Sequence, residues 1–241
     1  RAAADLVLTA PGLGVIVHAV EEARRIFERM TSYATFRITE SMRVLLFMTL
    51  SILLFNFYPV TAIMVVLLAI LNDIPIMLIA YDNVKTSEKP VRWNMPRVLT
   101  TSGILSVGGV ISSFILFWFI SRHLSLPEDT VRTMVFLKLL VGGHLTIFLT
   151  RNKGWLWENP FPNPGFFLAL EGTQLIGTLF AVYGWIIPPI GWGKALVVWG
   201  YALVWLLILN VAKVLSYKIM DKKKLGRKKS EKELHETLVR A

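Results

Sequence analysis

Val60-Thr-Ala-Ile-Met-Val-Val-Leu-Leu-Ala-Ile-Leu-Asn-Asp-Ile-Pro-Ile-Met-Leu-Ile-Ala80 decides the fold class. Its length matches the roughly 20 apolar residues that a helix needs to cross a bilayer. Beyond Thr61 at its edge, only Asn72, Asp73 and Pro75 interrupt its apolar character. A carboxyl group placed in hydrocarbon is costly, so Asp73 is a functional-site candidate by default. Proline lacks the N–H that would bond the carbonyl four residues back, and its ring clashes there. Pro75 should therefore loosen the helix beside Asp73, leaving the carbonyl of Leu71 and the amide of Asn72 to hold the acid. Discontinuous helices at midplane sites are a recurring device of transport.

The rest of the chain has the same character. Hydrophobic residues make up 54% of its 241 positions and charged ones only 17%, less than soluble domains carry. Five more spans follow, at about Ile38–Phe57, Thr101–Ser121, Val131–Thr150, Phe166–Ile187 and Lys194–Tyr217. Segments rich in Pro and Gly separate them, notably residues 159–165 and 188–193. The expected fold is an all-α membrane protein, a bundle of six transmembrane helices. With no cysteine, disulfides and thiolate metal sites are excluded. The start, Arg1-Ala-Ala-Ala-Asp5, is no signal peptide and reads as internal to a longer chain.

Basic residues crowd one side of this topology. Arg24, Arg25, Arg29 and Arg37 precede the first span, Lys85, Lys89, Arg92 and Arg97 follow the second, and Arg151 and Lys153 follow the fourth. The tail after Tyr217 adds many more, against Arg122, Arg132 and Lys194 on the opposite side. The positive-inside rule puts both termini in the cytoplasm. It also explains the net charge of +10 without nucleic acid. The tail, residues 218–241, reads as a basic anchor near anionic lipid or as a regulatory segment.

The first 37 residues differ in kind. Ala4–Thr9 reads as a short strand and Pro11–Gly14 as a turn. From Val15 onward, apolar residues recur at helical spacing and the helix runs on through residues 21–37 into the first span. A helix rising into the membrane in this way transmits force or is an amphipathic lead-in.

Asp5-Leu-Val-Leu-Thr-Ala-Pro-Gly-Leu13, followed by Ala19-Val-Glu-Glu-Ala-Arg-Arg-Ile-Phe-Glu-Arg-Met30, resembles the close of a P-type ATPase phosphorylation domain and its stalk helix. Ala69-Ile-Leu-Asn-Asp73 and Ser41-Met-Arg43-Val-Leu-Leu-Phe47 resemble the proton-pumping plasma-membrane branch of that family. The resemblance implies residues 1–20 as the end of a cytoplasmic α/β domain, 21–37 as stalk, 38–217 as the last six of ten spans, and 218–241 as a tail. It also implies a plasma-membrane location, protons as the cargo, and partner spans and cytoplasmic domains elsewhere in the same protein. ATP and Mg²⁺ would be used there, since the phosphorylated Asp-Lys-Thr-Gly-Thr motif does not occur in this sequence. The tail is shorter than the autoinhibitory tails of plant pumps.

Depth along the spans points to a partner for Asp73. At 1.5 Å per residue, Arg43 lies about 7 Å and Asp73 about 10 Å inside the same border. Consecutive spans joined by a short turn are normally antiparallel neighbours, so the two side chains are expected within reach of each other. Burial favours the neutral acid and a nearby guanidinium favours the carboxylate. A movement that alters their separation can thus turn a proton acceptor into a donor. The plainer roles are a helix cap for Asp73 or Asn72, and for Arg43 a snorkelling anchor or a pair with Glu40 one turn back. Glu40, Lys138 and Glu171 are candidates for a secondary ion site, with His144 and Gln174 nearby, and no metal or nucleophile constellation is apparent. One carboxylate beside one arginine favours a proton over a calcium-type ion, which needs several oxygen ligands. The alternatives are a P-type pump for another cation and a free-standing six-helix transporter or assembly subunit.

Overall fold

The computed structural model describes Val7 and residues 13–87, 93–124 and 126–240; for Leu13 and residues 223–240 only the backbone is described. Six long helices dominate: α1 (Leu13–Phe55), α2 (Ala62–Leu78), α3 (Met95–Phe119), α4 (Glu128–Thr150), α5 (Pro164–Tyr183) and α6 (Gly191–Arg240). All six are long and apolar enough to cross a membrane. A 3₁₀ turn, Ile79–Tyr81, continues α2, and a π turn, Ile120–Leu124, continues α3. No strand occurs among the described residues. The all-α six-helix bundle expected from hydropathy is what forms, while the strand expected at Ala4–Thr9 lies outside the described residues apart from Val7.

Local chemistry sets the helix ends. Thr61 accepts the N–H of Met64 at the start of α2, and Asn94 accepts that of Arg97 at the start of α3. Asn163 accepts from Gly165 ahead of Pro164, whose missing N–H costs nothing at the first helical position. Gly184 ends α5 at φ 75°, a left-handed conformation, and a Cβ there would lie 2.8 Å from Pro189. That glycine stops α5 at Tyr183, earlier than the expected Ile187.

Burial then orders the helices. α4 is buried on nearly all sides and contacts each of the other five, so it is the axis of the bundle. A helix apolar all round belongs in such a place. α1 packs chiefly on α3, and α2 on α5, with α4 between the two pairs. The expected side-by-side hairpin of the first two spans is therefore not formed: residues 56–61 carry the chain from one pair to the other.

The α1–α3 contact is built from small polar residues. Ser102 Oγ donates to the carbonyl of Thr35, and Ser106 Oγ to that of Thr39. With little hydrophobic drive between helices in lipid, close approach and interhelical hydrogen bonds of this kind hold them together. α1 is a single helix of 43 residues. At 1.5 Å per residue it is about 65 Å long, twice the roughly 30 Å hydrocarbon core.

Candidate functional site

Two polar centres lie on either side of α1. The inner one is built on Arg43, which is 3% exposed. Its Nη2 lies 2.8 and 2.7 Å from the two carboxylate oxygens of Glu40 and donates to the carbonyl of Leu139 at 2.9 Å. The glycines of α3 and α4 make room for it. A Cβ at Gly109 would lie 2.6 Å from Arg43 Cδ, one at Gly142 3.1 Å from Nη1, and one at Gly143 3.1 Å from Nη2. Lys138 enters the same region, its Nζ donating to the carbonyl of Gly109 at 3.1 Å and to Ser113 Oγ. Two basic groups and one acid do not form the all-oxygen cage of a calcium-type site.

The outer centre holds Asp73. Its Oδ1 lies 3.4 Å from Arg37 Nη1, and the two side chains are 52% and 49% exposed. They line an open groove between α1 and α2 with Tyr33, Met30 and Met77. Asp73 is thus neither buried by these six helices nor paired with Arg43. The reason is positional: α2 lies across α4 from most of α1, so the outward face of α2 meets α1 near Arg37, six residues or about 9 Å before Arg43. The local pairing of Arg43 with Glu40 forms in place of the longer-range one.

Pro75 does not break its helix. α2 runs continuously from Ala62 to Leu78 with Pro75 inside it and buried. The carbonyl that proline leaves free is that of Leu71, and His144 Nε2 of α4 lies 3.2 Å from it. The freed group therefore faces inward to α4 and not outward to Asp73. Asn72 is buried beside Gly143 with its Oδ1 unpartnered among the described residues, and it does not bond Asp73.

Of the expected secondary-site residues, Glu40 and Lys138 both enter the inner centre around Arg43, and Glu171 does not join them. Lys138 is bonded to α3, whereas Glu171 is half-buried on α5. Among the described residues no group of three or more His, Asp or Glu residues is placed to hold a metal ion.

The N-terminal half of α1 is tied to the loops beside the bundle. Arg29 Nε donates to the carbonyl of Asp82 at 2.8 Å, and Arg25 Nε to Thr86 Oγ1 at 3.2 Å. Lys153 Nζ pairs with Glu28 at 2.9 Å. Behind these contacts a buried clamp joins three elements: Arg151 Nε and Nη2 donate to Asp82 at 2.5 and 3.1 Å, and Asp82 Oδ1 accepts from the N–H of Asn163 at 3.0 Å. Lys213 of α6 donates to the carbonyls of Leu149 and Asn152 at 3.0 and 3.2 Å, placing a basic group on the C-terminal end of α4.

Four residues with evident roles were missed by reading the sequence. Arg37 and Arg151 enter the sequence reading only as positive-inside charges, and Asp82 and Lys213 carry no motif that singles them out. The paired glycines Gly108-Gly109 and Gly142-Gly143 were a legible signal of close approach in two apolar helices.

The chain is 50% identical over 218 residues to a protein of Methanocaldococcus jannaschii whose name gives it as a cation-transporting ATPase, matching 90% of this chain and 27% of that protein. It is 31% identical over 263 aligned positions to each of two Leishmania donovani proteins named as proton ATPases, 1A and 1B, matching 92% of this chain and 27% of each. No family model matches. The chain spans about a quarter of the length of the curated relatives it matches. The homologues of this six-helix membrane bundle are thus named as ATPases that transport cations.

Proposed function

We propose that this chain is the transmembrane part of an ATP-driven, proton-exporting P-type pump, with Asp73 as the group that takes up and releases the proton. The observation that carries the reading is the position of Asp73. A carboxylate and a guanidinium stand half-exposed on the flank of helices that otherwise present Leu, Ile and Met outward. Charged groups at such a place face a bundle interior or a water-filled cavity, not lipid. In this reading the flank is covered in the working protein by further spans of the same pump.

In this reading Arg37 is the counter-charge that Asp73 holds in one state, and the Glu40–Arg43 pair is a fixed polar wall behind it. The proton moves when the separation of Asp73 and Arg37 changes. Rotation or tilt of the long α1 helix supplies that change, because its outer half is gripped by the loops after α2 and α4. Other parts of the whole protein would bind ATP and Mg²⁺ and receive the phosphoryl group. The basic side would be cytoplasmic and the membrane the plasma membrane.

The name of the Methanocaldococcus relative specifies a cation but no ion, so a pump for another cation is the second reading. The ion dependence of phosphoenzyme formation in the intact protein decides between them. A phosphoenzyme that responds to pH and to no metal cation other than Mg²⁺ supports the proton reading. A requirement for calcium, sodium or potassium replaces it, and the absence of any phosphoenzyme overturns both.

A further inference from the structure

The two nitrogens of His144 both face backbone carbonyls. Nδ1 lies 2.9 Å from the carbonyl oxygen of Leu140, one turn back on α4, and Nε2 lies 3.2 Å from that of Leu71 on α2. Thr173 Oγ1 of α5 lies 3.1 Å from the same Nε2. The residue is fully buried on the central helix.

A neutral imidazole has one donor and one acceptor nitrogen, whereas the imidazolium has two donors. Carbonyl oxygens only accept. With the proton on Nδ1, that nitrogen serves Leu140, and Nε2 accepts from the Thr173 hydroxyl while its lone pair opposes the carbonyl of Leu71. With the proton on Nε2, Leu71 is served and the lone pair of Nδ1 opposes Leu140. Only the doubly protonated ring donates to both carbonyls. Thr173 then turns its hydrogen to the carbonyl of Ala169, 2.9 Å away. One rotation of a hydroxyl thus accompanies gain or loss of the proton.

The Leu71 carbonyl is open to this use because Pro75 lies four residues after it and has no N–H to offer. We propose that His144 is an intramembrane proton-binding residue whose charged form is held between the carbonyls of Leu140 and Leu71, the second released by Pro75. Proton binding there strengthens a contact between α2, which carries Asp73, and α4, the axis of the bundle. The inference deepens the proton-pump reading by adding a second protonatable group behind the first.

Charged groups stand on the helices around the ring. Arg43 and Glu40 of α1 lie beside Gly143, the residue before His144, and Lys138 of α4 is bonded to α3. Asp73 of α2 stands on the outer flank, Glu171 of α5 is half-buried, and Lys213 of α6 is bound at the end of α4. No ionisable residue of α3 between Arg97 and the end of the helix faces it. Asn72 and Gln174, next in sequence to the ring's partners Leu71 and Thr173, hold buried amide atoms without partners among the described residues.

Nitrogen-15 solid-state NMR of the intact protein, labelled at histidine and held in lipid vesicles, reads ring protonation directly. His144→Gln identifies its signals, and if that variant does not fold, His144→Asn identifies them instead. On going from about pH 8 to about pH 4, a ring with one protonated nitrogen should become one with two. In Pro75→Ala, where an N–H competes for Leu71, the ratio of charged to neutral ring at a fixed pH should fall roughly tenfold, the effect of weakening one hydrogen bond to a charged group. A His144 that keeps a single neutral tautomer across the range overturns the proposal, as does an unchanged ratio in Pro75→Ala. These readouts need no transport, so they stand or fall apart from the phosphoenzyme experiment.

Discussion

Asp73 Oδ1 meets Arg37 Nη1 at 3.4 Å on the open flank of the bundle, while Arg43, a turn and a half further along α1, is closed in with Glu40. Two ion pairs with opposite surroundings therefore sit on successive faces of one helix. The enclosed pair has no freedom to change partners without unpacking α3 and α4. The flank pair can separate by a small shift of α1 against α2. In the proposed pump, that difference gives movement to one pair and support to the other.

Asp73→Asn in the full-length protein should leave a folded pump that no longer moves protons. The amide keeps the size of the carboxyl, and the six helices do not bury the site, so unfolding should shift by no more than about 0.5 kcal/mol. ATP-driven acidification of reconstituted vesicles is the measurement. Acidification at the wild-type rate would remove Asp73 from the mechanism.

Arg37→Ala and Arg43→Ala should separate function from stability. Loss of Arg43 leaves Glu40 buried without its counter-charge, at a cost of about 3–5 kcal/mol. Loss of Arg37 should cost far less, since an exposed pair contributes at most about 1 kcal/mol, yet it should alter the pH dependence of transport. The double variant Glu40→Gln, Arg43→Met should recover part of the stability lost in Arg43→Ala, because the carboxylate that lost its arginine is then neutral too, while Lys138 keeps its bonds to α3. Thermal unfolding in detergent checks the order, and equal losses for the two single variants would contradict the two-pair assignment.

What the sequence made legible follows the range of each interaction. Span number and the continuous rise of α1 depend on hydropathy and helical period within one segment, and both formed as expected. The Glu40–Arg43 pair is also local, three residues apart, and was weighed as the plain role of Arg43. The partner of Asp73 depended on which helices touch, and a six-residue connection between α1 and α2 permits both a hairpin and the split that occurs. The proline rule named Leu71 as the freed carbonyl but could not supply His144, which is 73 residues distant. Arg37 was hidden by its own company, since a charge-counting rule treats every basic residue near a border alike.

Gly143→Ala should disturb the inner centre from the far side. The added methyl would lie 3.1 Å from Arg43 Nη2, 3.2 Å from Glu40 Oε1 and 3.5 Å from Asn72 Oδ1, so the ion pair must give way. Overpacking of this kind costs about 1–3 kcal/mol. Gly172→Ala, on α5 with nothing within 4 Å of its Cβ, is the control and should be neutral or slightly stabilising. Comparing the two unfolding midpoints tests whether the glycines of α4 serve the arginine.

Arg151→Lys should weaken the clamp that holds the loops to the N-terminal half of α1. Arg151 reaches both oxygens of Asp82 and also the carbonyl of Asn83 at 3.1 Å, a geometry the guanidinium fork provides and a single ammonium does not. Asp82 accepts the N–H of Asn163 as well, so the lysine variant leaves part of a buried carboxylate unserved. A loss of about 1–3 kcal/mol is expected. Because Arg29 grips the carbonyl of Asp82, the same change should loosen the link between α1 and the loop after α2. Hydrogen exchange should therefore quicken in residues 82–87 and at the start of α5, while the central helix α4 keeps its protection. Unchanged exchange in both segments would show that the clamp does not hold them.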